Sequence, residues 1–237
     1  MLADPRLAIA RFMACAACGF RWAVPAPAPD RLAAFYQDYG GSRRYAAKAE
    51  RKLVRPPRGL ARLRRLLGRR AGARFLDVGC NLGFAVEAAR RLGFQATGVE
   101  LDAAAVADAT ARFPAGEFLV GTAADVVAGG RCFDLVYCSE MIEHVSDPAA
   151  LVAQLARLTR PGGLLYLTTP DATPRRSAAA FLAWAEVKPP EHLCWFTRDS
   201  LRRLLAAAGF DRISFQFRWR PAKTGIRLVA WQPGVAS

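Results

Sequence analysis

Four residues in the middle of the chain have the types and spacing of a nucleoside-binding turn. Asp77, Gly79 and Gly83 sit in the run Phe75-Leu-Asp-Val-Gly-Cys-Asn-Leu-Gly-Phe84. Glycines are needed where a backbone bends tightly and a ligand must approach with no Cβ in the way. Glu100 follows about 20 residues later, where an acid can accept both ribose hydroxyls of a nucleoside. A dinucleotide site would show G-x-G-x-x-G with amides open to pyrophosphate, whereas this turn begins with a carboxylate and has Asn81 where a further glycine would sit. That charge opposes pyrophosphate. It suits the positively charged methionine end of S-adenosylmethionine.

Two histidines and a cysteine pair are the other chemistry-bearing groups. His144 lies in Glu140-Met-Ile-Glu-His-Val145 and reads as structural. His192, in Pro189-Pro-Glu-His-Leu-Cys-Trp-Phe-Thr197, stands beside Glu191. An imidazole titrating near neutrality suits acid–base work, so Glu191 and His192 are the candidate catalytic pair. The competing reading is a helix-entry loop packed by Leu193, Trp195 and Phe196. Cys15-x-x-Cys18-Gly19 looks like half of a zinc ribbon, but a structural zinc site needs four ligands. Cys80, Cys132, Cys138 and Cys194 supply no second pair at knuckle spacing, so no bound metal is expected.

The elements that must position these groups follow a strand–turn–helix rhythm from Arg74 onward. Short apolar runs at Phe75–Val78, Gln95–Val99, Phe118–Gly121, Phe133–Cys138 and Leu164–Thr169 alternate with helical stretches at Ala85–Leu92, Ala103–Arg112 and Pro148–Leu158. Alternation at these lengths predicts right-handed βαβ units and an α/β fold with a parallel sheet. Pro161-Gly162-Gly163 reads as the turn into the fifth strand. After Pro170 the rhythm pauses for a Pro- and aromatic-rich segment, 171–196, expected to cap the site. A helix over Asp199–Ala208 and two β-rich runs, Arg212–Trp219 and Ile226–Trp231, close the chain.

Four stretches in order resemble the class I S-adenosylmethionine-dependent methyltransferases, over about residues 72–231. They are Leu76-Asp-Val-Gly-Cys-Asn-Leu-Gly83, Gly98-Val-Glu-Leu-Asp102, Phe133-Asp-Leu-Val-Tyr-Cys-Ser-Glu-Met-Ile-Glu-His-Val145 and Arg160-Pro-Gly-Gly-Leu-Leu-Tyr-Leu-Thr-Thr-Pro170. The last two are similar to the quinone-biosynthesis and natural-product branch. The resemblance implies a Rossmann-like, seven-stranded, mainly parallel sheet with an antiparallel C-terminal hairpin. It implies Asp77, Gly79, Cys80 and Gly83 around the methionine part of the cofactor, and Glu100 on the ribose with Leu101 beside it. Ala123 and Asp125 fall where the family contacts adenine, although Thr122 stands where relatives often have an acid. Ser139 would border the sulfonium and the acceptor. His144 lies in a stretch that the family uses to shape the pocket wall. The Glu191-His192 pair resembles one that some sugar methyltransferases use for acid–base work. Relatives of this branch often carry an N-terminal zinc ribbon, of which Cys15 and Cys18 would be a remnant.

Charge narrows the partner. With 34 basic and 20 acidic residues the chain carries a formal +14, and 30 of the basic residues are Arg. Residues 1–76 hold 17 basic against 4 acidic, residues 77–170 hold 6 against 11, and residues 171–237 hold 11 against 5. An acidic middle between basic flanks matches a cationic cofactor at the centre. The flanks divide the chain into a basic N-terminal extension, 1–70, with the cysteine pair and then cap helices, and a cofactor domain, 71–237. The basic helices have three readings: a solvated face rich in Arg, attraction to a small, anionic acceptor, and contact with a membrane surface. Nucleic acid is not favoured, because no stacking aromatics interleave the Arg run. The other class of function is a binding module that keeps the fold and acts on nucleic acid or a protein through its basic surface. No apolar run approaches the length of a membrane span and no signal peptide is visible, so a cytoplasmic location is expected.

Overall fold

The computed structural model describes residues 11–28, 31, 32, 34, 35, 58–68, 72–215 and 225–234. Most of the expected cap-helix stretch before residue 58, and the end of the penultimate β-run, lie outside the described residues. Two sheets organise the rest. The larger has seven strands: β3 (Arg74–Val78), β4 (Gln95–Glu100), β5 (Glu117–Val120), β6 (Phe133–Ser139), β7 (Thr159–Pro170), β9 (Arg212–Phe215) and β10 (Gly225–Trp231). Their spatial order is β5-β4-β3-β6-β7-β10-β9. The first five pair in parallel, while β10 runs antiparallel between β7 and β9. This is the Rossmann-like sheet with the closing hairpin that the motifs imply. The chain enters at the centre on β3, moves outward to β5 and returns beside β3 as β6. The carboxyl ends of β3 and β6 are therefore the topological switch point, where open α/β sheets bind ligands.

The strands read as near-continuous apolar runs because both faces of the sheet are covered. Period-two alternation assigns each residue its face. Leu76, Val78, Val136 and Leu165 join one buried cluster, with Phe133 and Leu155. Phe75, Leu135, Leu164 and Val229 join another. Helices α2 (Phe84–Arg91), α3 (Ala103–Arg112), α4 (Ala123–Ala128), α5 (Pro148–Leu158) and α7 (Arg198–Ala207) pack around the sheet. Their starts are written locally: Asp102 accepts the amides of Ala104 and Ala105, and Asp147 accepts that of Ala150 one residue before Pro148. Helix α1 (Arg58–Leu66) has the amphipathic pattern expected of it. Leu60 and Leu63, with Leu67 just beyond it, enter the cluster of Phe75 and Phe94, whereas Leu66 points outward at 45% exposure.

One local expectation is corrected. Pro161-Gly162-Gly163 does not precede the fifth strand but lies within β7. The Gly162 amide donates to the Gln232 carbonyl at 3.1 Å and the Gln232 amide to the Gly163 carbonyl at 3.1 Å, so pairing continues past the irregularity. The register against β6 shifts there, between Phe133 and Leu135. The 171–196 segment has structure of its own. It holds a short helix, α6 (Ala178–Leu182), and leads into β8 (Cys194–Trp195). β8 pairs with β2 (Arg21–Val24), which in turn pairs with β1 (Arg11–Ala14). Residues 11–24 and the 171–196 segment thus share a three-stranded sheet. Phe12 joins them, edge-on to Phe181 at 5.7 Å and to Trp195 at 5.3 Å.

Candidate active site

The turn after β3 is built as its glycines require. Gly79 and Gly83 both have φ of 75°, in the left-handed region that a Cβ disfavours. A Cβ on Gly83 would come within 2.5 Å of the Phe118 ring, and one on Gly79 within 3.0 Å of Met141 Cγ. Asn81, at φ 48°, accepts the Leu82 amide on its own side-chain oxygen at 2.8 Å. The amides of Gly79 and Cys80 donate to the Val99 carbonyl at 2.9 and 3.1 Å, which locks the turn to β4.

Glu100 closes the same arrangement at the end of β4. Its Oε2 accepts the Asn81 amide at 3.0 Å, and its Oε1 accepts those of Leu101 at 2.8 Å and Asp102 at 3.2 Å. The carboxylate is held from both sides beside the glycine turn. Asp77, 5% exposed, lies on β3 opposite Gly98 on one side and Tyr137 on the other. Cys80 is buried behind the turn. A Cβ on Gly98 would stand 2.6 Å from its sulfur, and burial, with Asp77 and Glu100 adding to it, pushes the thiol up. Cys80 therefore packs as a neutral thiol.

The remaining cofactor candidates occupy neighbouring strand ends. Ala123, buried, opens α4, a helix not apparent in the sequence. Asp125 accepts the Thr122 amide at 2.8 Å and the Thr122 hydroxyl at 2.7 Å, so Thr122 serves the helix start. These bonds hold the Asp125 carboxyl below its ordinary range, the Thr122 hydroxyl contributing most. Ser139 ends β6, with its hydroxyl 2.8 Å from that of Thr168 on β7. Glu140, next in the chain, takes φ 55°, an unusual conformation for a residue with a Cβ, and its amide donates to the Thr168 carbonyl.

Beyond Glu140 the structure brings together groups that the sequence kept apart. A single 3-10 turn, Ile142–His144, presents Glu143 and His144. The amide of Leu193 donates to the Glu143 carbonyl at 2.8 Å, which brings the neighbouring His192 to this turn. The two imidazoles meet edge to face with centroids 4.8 Å apart. His144 Nδ1 lies 2.7 Å from the Glu191 carbonyl oxygen, and His192 Nδ1 lies 2.7 Å from that of Glu186. Glu191 thus meets the other histidine through its main chain. The Glu186 carboxylate lies 3.9 Å from His192 Nδ1. Glu143 is 1% exposed, and burial, with Glu140 adding to it, pushes its carboxyl up to about 8. Although 26% of its side-chain surface is open, His144 is hemmed in enough that desolvation, helped by His192, pushes it down to about 3. His192 is also lowered, mainly by burial.

The cysteine pair sits at the tip of the β1–β2 hairpin, where the Gly19 amide donates to the Cys15 carbonyl and Thr197 donates its hydroxyl to the Cys18 carbonyl at 2.6 Å. Neither cysteine joins a group of metal-capable side chains among the described residues. A surface depression lined by Arg74, Gln95, Thr97, Glu117 and Arg131 lies at the amino ends of β3 and β4, away from the glycine turn. Its principal charges are mutually satisfied, with Glu117 and Arg131 2.6 Å apart.

The methyltransferase domain family matches residues 45–214. The chain belongs to that family. A ubiquinone biosynthesis O-methyltransferase of Xanthomonas oryzae pv. oryzae is 42% identical over 117 residues, which are 46% of this chain and 48% of that protein. The chain thus spans about half the length of the curated relatives it matches. Among solved structures, a S-adenosylmethionine-dependent methyltransferase from Methanosarcina mazei superposes with a TM-score of 0.56 at 18% identity, covering 70% of this chain and 94% of that one. The [4+2]-cyclase SpnF superposes at 0.55 with 22% identity, covering 73% and 81%. At these identities the two structures show the fold. No helix among the described residues is long and apolar enough to cross a membrane.

Proposed function

We propose that this chain transfers a methyl group from S-adenosylmethionine to a small-molecule acceptor held between the carboxyl end of β6 and the 171–196 segment. The observation that carries the reading is the Glu100 carboxylate, fixed by three amides against the left-handed glycine turn. That pairing places an acceptor for ribose hydroxyls beside a surface with no Cβ. The alternative of a binding module working through its basic surface is not favoured by membership in a methyltransferase family.

The residues present fit the cofactor. Glu100 would hold the ribose with Leu101 beside it, and Asp77 would face the cationic methionine end. Gly79, Cys80 and Gly83 would line its approach, with Ala123 and Asp125 on the adenine side. Bound S-adenosylmethionine supplies an electrophilic methyl carbon on a sulfonium leaving group, so the protein's task is alignment. Ser139 and the strained Glu140 turn form the floor on which an acceptor would rest. The cap segment, joined to β2, would exclude water above it. His192 has Nδ1 committed to a carbonyl, so the acid–base role proposed for it with Glu191 is left to Nε2. A small, anionic acceptor suits the basic flanks.

Calorimetry with S-adenosylhomocysteine, the demethylated cofactor, tests the reading at its first step. Stoichiometric binding that Glu100→Ala weakens supports it. No binding by the folded chain overturns it.

A further inference from the structure

The β1–β2 hairpin turns through Cys15-Ala-Ala-Cys18-Gly19-Phe20, a segment for which methyl transfer has no use. The turn is closed twice. The Cys15 amide donates to the Phe20 carbonyl and the Gly19 amide to the Cys15 carbonyl, both at 2.8 Å. The second bond runs from one residue to the fourth before it, which makes Cys15–Gly19 a single helical turn. Across such a turn, Cα atoms three residues apart stand about 5 Å from each other. Disulfides span Cα separations of about 4.4–6.8 Å. Gly19, at φ 71°, leads the chain into β2, and a Cβ there would meet Thr197 Cγ2 at 3.0 Å. Thr197 donates its hydroxyl to the Cys18 carbonyl at 2.6 Å and accepts the Ser200 amide on the same oxygen at 3.0 Å. The turn is therefore fastened to the start of α7.

The two sulfurs are unlike. Both cysteines are unbridged and half-buried. The Cys15 sulfur receives the amides of Cys18 and Ala17 and then the Cys18 thiol, which together hold it below its ordinary value. Burial is the largest effect at Cys18 and holds that thiol above its own. Arg203 on α7 adds positive charge near both, shared with Asp199 at 2.9 Å. One sulfur thus accepts as a thiolate while its neighbour donates as a thiol, within hydrogen-bond reach. Thiol–disulfide exchange needs such a nucleophile with a second thiol beside it. A structural metal ion needs four ligands, and no further Cys, His, Asp or Glu groups with this pair among the described residues.

We infer that Cys15 and Cys18 form a reversible dithiol–disulfide couple that exchanges with small-molecule disulfides, Cys15 attacking and Cys18 resolving. The Cys15 thiolate bonds to one sulfur of a disulfide R–S–S–R, whose S–S bond breaks and releases one thiolate, RS−. Cys18 then gives its proton to solvent. Its thiolate attacks the Cys15 sulfur of the mixed disulfide and releases the second RS−. The chain loses two electrons, and R–S–S–R gains them and becomes two thiols. The new bond forms next to the Cys18 carbonyl that holds Thr197, at the junction of the hairpin with α7. The couple stands whether or not the chain transfers methyl groups.

The test uses the full chain, reduced and then dialysed against a chelator. It is mixed with oxidised glutathione, quenched with acid at intervals, alkylated and digested with trypsin. Arg11 and Arg21 place both cysteines in one peptide, Phe12–Arg21. The internal disulfide therefore appears as a form of that peptide two hydrogens lighter that escapes alkylation. This form is expected to accumulate at least tenfold faster in the folded chain than in urea, and to revert in excess reduced glutathione. Cys18→Ser should stop at a glutathione adduct on Cys15, whereas Cys15→Ser should react at Cys18 at least tenfold more slowly. Three results overturn the couple: no internal disulfide in the folded chain, a rate no faster than in urea, or adducts that build up first at Cys18. A metal ion that stays stoichiometric after the chelator and blocks exchange also overturns it, and assigns the pair to that ion.

Discussion

The Asn81 amide donates to Glu100 Oε2 at 3.0 Å, joining the turn after β3 to the end of β4 through one carboxylate oxygen. The other oxygen is occupied by the amides of Leu101 and Asp102. A carboxylate has about four lone-pair directions. Glu100 therefore has two tasks at one spot: it holds the turn in shape and keeps acceptor capacity for a ligand. A dinucleotide-type turn has no use for such a bridge, because its amides must remain open to phosphate.

Replacing Glu100 should accordingly weaken cofactor binding more than it weakens the fold. Glu100→Ala is expected to lose about 1–3 kcal/mol of S-adenosylmethionine affinity through missing charge-assisted hydrogen bonds. Glu100→Gln should fall between, since its amide end cannot accept from a backbone N–H. Isothermal calorimetry gives both values. Unchanged affinity in the alanine variant would place the ribose elsewhere.

Gly83 offers a stability test of the same turn. Its φ of 75° and the Phe118 ring atom 2.5 Å from any added Cβ both oppose a side chain. Phe118 is further confined, since a Cβ on Gly116 would stand 2.9 Å from its ring. Gly83→Ala should lower stability by roughly 2–4 kcal/mol, combining the left-handed penalty with overpacking. Urea denaturation checks this. Gly93→Ala makes the control, with φ of 81° but open space around it, and should cost only the conformational part.

What could be read from the sequence follows the range of each interaction. Phe75–Val78 was legible because an apolar run, a glycine turn and a helix succeed one another directly, and the Glu100 position follows from the length of one βα unit. The helix at Ala123–Ala128 was missed because its start depends on a Thr122–Asp125 bond that reads equally well as a ligand contact. The meeting of His144 with His192 was not legible at all. It depends on a bond from the His144 ring to the Glu191 carbonyl, 47 residues away, and on a two-residue strand that pairs with the far N-terminus. Neither leaves a periodicity. In sequence His144 reads as structural and His192 as catalytic, and only folding puts them side by side.

The cysteines should differ sharply in reactivity. Amides of Cys18 and Ala17 directed at its sulfur hold the Cys15 thiol below its ordinary value, whereas burial raises that of Cys18. Burial also pushes Cys194 up to about 12 and raises Cys80 and Cys138 further. Thiolate is the reacting form. Brief treatment with iodoacetamide near neutral pH, followed by peptide mass spectrometry, should find Cys15 alkylated ahead of these four. Preferential labelling of Cys80 would mean that the turn after β3 opens in solution.

Acid should weaken the fold in part through Glu87. This carboxylate, 4% exposed on α2, accepts from Arg90 Nε at 2.7 Å and from Arg91 Nε at 2.7 Å. The Arg90 bond is the largest cause holding its carboxyl below the usual range, with Arg91 adding to it. A carboxyl depressed in the folded state binds fewer protons there than in the unfolded chain. Its contribution is therefore present above the ordinary carboxylate range, near 4.3 in an unfolded chain, and is lost as pH falls through the folded value. Glu87→Gln removes that contribution at every pH and leaves the other carboxylates in place. The difference in urea midpoint between parent and variant should favour the parent at pH 6 and shrink as pH falls below the ordinary carboxylate range. A difference that stays constant across that range would show that Glu87 stabilises α2 by packing, with no part played by its charge.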